Sequence, residues 1–129
     1  MNKILIVEPE PTLLNLIAEL LHLHGLMPIT AASCEQGYEL TKLEKPDVIL
    51  CGHSSRYFNS YENCWEFITK LHQDLETADI PFIFMAGSAL ETIPNWQNYV
   101  RYQDILFKPF KVQVLLEKIY TQLQSSQNK

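Results

Sequence analysis

Glycine and positive charge are both scarce in this chain. Four glycines among 129 residues, Gly25, Gly37, Gly52 and Gly87, stand singly, so they assemble neither a glycine-rich phosphate loop nor a dinucleotide fingerprint. Lys and Arg total 10 against 15 Asp and Glu, a net charge of −5, which removes the basic face that nonspecific nucleic-acid binding requires. No apolar run approaches the ~20 residues of a membrane-spanning helix. The N-terminal run Ile4-Leu5-Ile6-Val7 meets Glu8 too soon to serve as a secretory signal. Cysteine is limited to Cys34, Cys51 and Cys64, odd in number and without C-x-x-C spacing, so they read as reduced structural thiols in a cytoplasmic protein. No acid–His–nucleophile set suggests a hydrolase. These absences point to a protein that is not an enzyme, with no cofactor, no metal site, and neither nucleic acid nor membrane as a partner.

What is present is ordinary globular material, 47% hydrophobic and 19% charged, enough for one core. Apolar runs alternate with helical patterns. Ile4–Val7 is a continuous run of the kind expected for a strand covered on both faces. A helix opens at Pro11 with Leu13, Leu16, Ile17, Leu20 and Leu21 on one face and stops at Gly25, a left-handed cap. Met27–Ala31 is a second strand, and Ser33 caps a helix through Leu43, with Tyr38 and Leu40 inward. Lys45-Pro46-Asp47 breaks that helix and starts the strand Val48–Cys51. The next helix runs from about Glu62 to Leu75 on the stripe Trp65, Ile68, Leu71 and Leu75. Ile80–Met85 is the fourth strand. A helix is expected over 89–102, broken or shortened by Pro94. Ile105–Phe107 is the fifth strand, and Val112, Leu115, Leu116, Ile119 and Leu123 define the last helix.

The pattern is β-α five times over. It predicts an α/β fold, a doubly wound five-stranded parallel sheet with helices on both faces, as a single domain over 1–124 with a polar tail over 125–129. Right-handed crossovers bring every strand's C-terminal end to one rim. Glu8, Glu10, Gly52, His53, Ala86 to Ser88 and Lys108 therefore gather as site candidates.

With this order of elements, Lys3-Ile4-Leu5-Ile6-Val7-Glu8-Pro9-Glu10-Pro11, Pro46-Asp47-Val48-Ile49-Leu50, Ile80-Pro81-Phe82-Ile83-Phe84 and Lys108-Pro109-Phe110 resemble, in turn, the motifs of the receiver domain of two-component response regulators. The resemblance runs to about Leu123. It implies a flavodoxin-like fold, a role in phosphorelay signalling, and a cis Lys108–Pro109 bond. It also implies an acid pair that holds Mg²⁺, a phosphoacceptor aspartate, a hydroxyl after the fourth strand and an aromatic switch on the fifth. Here those positions hold Glu8-Pro9 with Glu10 beyond, then Gly52, Ala86 and Ile105. Only Lys108 keeps its family identity. Phosphoryl transfer to a carboxylate needs a nucleophilic oxygen, a divalent cation and charge-stabilising donors together, and Mg²⁺ needs several oxygen ligands. The expectation is a pseudo-receiver in which Glu8, Glu10, Ala86 and Lys108 line a degenerate pocket beside Gly52.

Glu8 and Glu10 are expected to be solvated acids near helix N-termini rather than metal ligands. Lys108 is expected to pair with one of them as a structural salt bridge. His53, Ser54 and Ser55 read as a polar loop rather than as substitute acceptors. The aromatic loop with Arg56, Tyr57, Phe58 and Tyr61 either binds a partner or folds over the vacated pocket. Trp96 and Tyr99 either pack into the core or serve a face used for self-pairing. The expected function is a signalling module that works by contact with a protein, whether a kinase, an output protein or a second copy in a homodimer. The alternative is a working regulator phosphorylated at a non-standard residue such as Ser54 or Ser88.

Overall fold

The structure is a computed structural model that describes residues 1–53, 61–87 and 90–127. Five strands, β1 (Lys3–Val7), β2 (Met27–Ala31), β3 (Val48–Gly52), β4 (Phe82–Ala86) and β5 (Ile105–Phe107), form one sheet in the order β2-β1-β3-β4-β5. Every pairing is parallel. The helices are α1 (Pro11–Leu23), α2 (Cys34–Glu44), α3 (Tyr61–Gln73) and α4 (Val112–Gln127).

The strand period of two sorts the core into two layers. Ile4 and Ile6 of β1 pack with Leu14, Ile17 and Leu21 of α1 and Leu115, Ile119 and Leu123 of α4. Leu5 and Val7 point the other way, to Cys34 of α2 and Cys64, Phe67, Ile68 and Leu71 of α3. β1, β3 and β4 are thus covered on both faces, which is why they read as unbroken apolar runs.

α1 is closed at both ends by its own sequence. The Glu10 carboxylate accepts from the N–H groups of Thr12 and Leu13 at 3.2 and 2.6 Å, and Pro11 occupies the first turn. At the other end Gly25 has φ +77°, its N–H donates to the His22 carbonyl, and the Leu26 N–H donates to the Leu21 carbonyl. That Schellman turn needs a residue without Cβ strain in the left-handed region. The buried stripe of α1 is Leu14, Ile17 and Leu21, with Leu13 half-buried beside it. Leu16, expected inward, is 52% exposed, because two residues turn the helix by about 200° from Leu14.

The predicted end of α3 also needs correction. The helix stops at Gln73, and Leu75 is 97% exposed. Asp74 takes the chain out of the helix, accepting from the Glu76 N–H, from Tyr38 Oη and from Lys42 of α2. The Thr77 hydroxyl then donates to the Leu71 carbonyl at 2.7 Å and satisfies the helix end. Tyr38 and Leu40, expected inward on α2, are half-buried against the core, while Cys34, Gly37 and Thr41 are its buried residues.

Between β4 and β5 the expected helix is replaced, among the described residues, by short 3₁₀ turns at Leu90–Thr92, Trp96–Asn98 and Tyr102–Asp104. Pro94 follows the first, and Asn95 takes a left-handed φ of 60°. A proline there removes a helical donor and crowds the preceding turn. Leu90, Ile93 and Val100 still anchor the crossover in the core. No described helix is long and apolar enough to cross a membrane.

Candidate functional site

The C-terminal rim of the sheet brings together residues from four strands. Glu8 follows β1, Gly52 ends β3, Ala86 ends β4 and Lys108 follows β5. Glu8 is held to β2 by its N–H, which donates to the Ala31 carbonyl at 3.0 Å. Lys108 is held to β4 by its N–H, which donates to the Ala86 carbonyl at 2.8 Å. The Lys108–Pro109 bond is cis.

Glu8 is fully buried, at 0% exposure, so the expectation of a solvated acid is corrected. Both of its oxygens are engaged. Oε1 accepts from Lys108 Nζ at 2.6 Å, and Oε2 accepts from the Glu10 N–H at 3.0 Å. The Lys108 side chain is 17% exposed, so the pair is largely desolvated and its two charges satisfy each other.

Gly52 explains how the acid fits. A Cβ on residue 52 would lie 2.4 Å from Glu8 Oε1, 3.3 Å from Glu8 Cδ and 3.2 Å from Lys108 Nζ. The carboxylate of β1 therefore occupies the volume into which a side chain of residue 52 would project. Gly52 is a β residue paired with Met85 and has no left-handed φ. Glycine is required there for space, not for backbone freedom.

Glu10 does not join this pocket. Its carboxylate caps α1 instead. Ala86 is buried at the end of β4 and offers no hydroxyl, and Ile105 is buried in β5. Mg²⁺ needs several oxygen ligands, and the one carboxylate turned into the described pocket is already ion-paired.

His53 lies beside the pocket with its ring stacked on Phe84, 5.5 Å between centroids and 9° between planes. Tyr61 meets the same ring edge-on at 6.4 Å. Burial, and then the Lys108 charge, lower the His53 pKa. Its Nε2 has no hydrogen-bond partner among the described residues. Tyr99 stacks on Trp65 at 4.8 Å, and Trp96 packs against the core while facing Tyr102. Arg56, Tyr57 and Phe58, with Ser54, Ser55 and Ser88, lie outside the described residues.

Sequence reasoning missed one constellation. Cys34, Cys51 and Cys64 meet beneath the rim, with all three Sγ atoms within 4.8 Å of one another. Their separation along the chain gave no motif. Only the topology, which sets the end of β3 against the first turns of α2 and α3, brings them together.

No family model matches the chain. Over 119 residues it is 31% identical to Protein PilH of Pseudomonas aeruginosa, an alignment covering 92% of this chain and 95% of that protein. It is 27% identical over 123 residues to the transcriptional regulatory protein YxdJ of Bacillus subtilis, where 95% of this chain spans 51% of the relative. Among solved structures, it superposes on a response regulator receiver domain protein from Clostridium thermocellum with a TM-score of 0.80 at 21% identity, covering 98% of each chain. A response regulator receiver domain from Francisella matches with a TM-score of 0.79 at 16% identity, over 98% of this chain and 99% of that one.

Proposed function

This chain belongs to the receiver domains of two-component response regulators, and from that premise we propose that it is a pseudo-receiver, signalling by protein contact without phosphorylation. The observation that carries this reading is the Glu8–Lys108 pair, which fills the side-chain space of residue 52. An acceptor at that position needs an oxygen, a cation and room for a phosphoryl group. Glycine supplies no oxygen. The buried acid takes the room, and the lysine is committed to the acid. The Ala86 and Ile105 positions, without hydroxyl or aromatic ring, support the same reading.

The module then acts as a cytoplasmic binding partner rather than as an enzyme. Its output is a shift in conformational population when a protein docks, a kinase, an output protein or a second copy. The rim loop and the crossover before β5 are the contact regions this reading favours.

The test is incubation with acetyl phosphate and Mg²⁺, read by intact-mass spectrometry. The expected spectrum shows the unmodified chain. A stable phospho-adduct overturns the reading, and peptide mapping to Ser54, Ser88 or His53 would replace it with an active regulator using an unusual acceptor.

A further inference from the structure

The three cysteines are buried where three elements converge. Cys51 is the next-to-last residue of β3, Cys34 is the first residue of α2, and Cys64 lies in the first turn of α3. Cys51 and Cys64 are fully buried, and Cys34 is 9% exposed. The Cys51 and Cys64 sulfurs are 3.4 Å apart, and those of Cys34 and Cys51 are 3.8 Å apart. Three sulfurs in a plane, each about 2.3 Å from a shared ion, lie about 4 Å from one another. The cluster is therefore already close to the spacing of a three-coordinate thiolate site.

We propose that Cys34, Cys51 and Cys64 form a binding site for one soft, thiophilic cation of the Cu(I) class. Thiolate donors select soft ions. Among the described residues, no fourth Cys, His, Asp or Glu joins the three. Structural Zn²⁺ sites are almost always tetrahedral with four ligands. A set of three sulfurs suits a soft ion that accepts three-coordination. On binding, three metal–sulfur bonds form, three S–H bonds break, and the protons leave to the buffer.

The surroundings supply an approach and a counter-charge. A groove of about 400 Å³ between α2 and α3 reaches Cys34, and among its described lining residues Glu35, Glu39 and Glu66 face one cation, Lys70. Lys70 is itself paired with Glu66 at 3.5 Å. The groove is thus attractive to cations, and among its described lining residues Cys34 is the member of the cluster that it reaches. The N-terminal turns of α2 and α3 place partial positive charge beside Cys34 and Cys64, but the neighbouring sulfurs and burial push the Cys64 and Cys51 thiols up, so their protons leave only as an ion takes their place. A disulfide would need about 2.05 Å between two sulfurs and would leave the third without a role. The convergence of all three favours the ion.

The experiment is anaerobic titration of the reduced full chain with Cu(I), in competition with the chromophoric ligand bicinchoninate. The expected result is one equivalent withdrawn from the competitor, with three sulfur neighbours around copper by X-ray absorption. Cys34→Ala, at the groove edge, keeps the fold by circular dichroism and loses that equivalent. Failure of the folded wild-type chain to take copper overturns the proposal. So does retention of the equivalent at the wild-type level by folded Cys34→Ala or Cys51→Ala, or retention of Zn²⁺ in preference to Cu(I).

Discussion

Replacing Gly52 by Ala adds one methyl group and no charge, and it should destabilise the fold. In an ordinary strand the same change raises stability by about 0.4–1 kcal/mol, because the unfolded chain loses freedom. Here the new Cβ would lie 2.4 Å from Glu8 Oε1. The carboxylate has no slack to absorb that contact. It is fully buried, one oxygen is held by Lys108 and the other by the Glu10 N–H. Moving it separates the ion pair. Breaking a buried pair costs about 3–5 kcal/mol, and the residual solvent contact of Lys108 argues for the lower end. The net loss is then about 2 kcal/mol, which lowers the melting temperature of a domain this size by about 8 °C. Urea unfolding followed by the fluorescence of buried Trp65 should show a lower midpoint at unchanged slope. In a Lys108→Met background, where the pair is already gone, the cost of Gly52→Ala should shrink. The two substitutions should therefore couple instead of adding. A Gly52→Ala protein as stable as wild type, or more stable, would refute the claim that Glu8 fills this space.

Two further predictions use the same pocket. Lys108→Met alone leaves a buried carboxylate without its cation and should cost about 3–5 kcal/mol in urea melts, whereas Glu8→Gln with Lys108→Met should recover most of that loss. His53 has a lowered folded pKa, so it stays neutral in the fold where the unfolded chain, near the ordinary value of 6.5, takes up a proton. Its contribution is present above that value and is lost as pH falls below it. His53→Phe, which keeps the stacking on Phe84, should therefore flatten the fall in melting temperature between about pH 7 and pH 5. An unchanged slope would contradict this.

The sheet was legible because both faces of β1, β3 and β4 are buried, which leaves continuous apolar runs in the chain. The caps were legible for the same local reason, since Ser33 and Gly25 act on backbone a few residues away. Leu16 and Leu75 misled because composition does not say how wide a helix's contact stripe is or where Asp74 turns the chain. The missing side chain at position 52 was visible as Gly52, and so was the pairing of Lys108 with an acid. Which acid, and how deeply buried, was not. Glu8 and Glu10 are two residues apart and chemically identical. Only the turn into α1 sends one to a helix cap and the other beneath the rim. The cysteine cluster was invisible because its three members come from separate βα units.

Glu8, Gly52 and Lys108 are best understood as one packed unit. A glutamate after β1 reaches one methylene farther than an aspartate, and that extra length carries its carboxylate across to β3. The reach is tolerable only where residue 52 has no side chain. Once there, the carboxylate is buried and must be neutralised, and Lys108 arrives from β5 to do so. Each residue makes the other two necessary. Placing an aspartate at position 52 alone would therefore not create an acceptor site. It would set a second carboxylate against a buried one, with a single lysine between them. An acceptor at position 52 first needs the Glu8 side chain shortened or removed, so Gly52→Asp should gain an adduct from acetyl phosphate at that position only in that altered background.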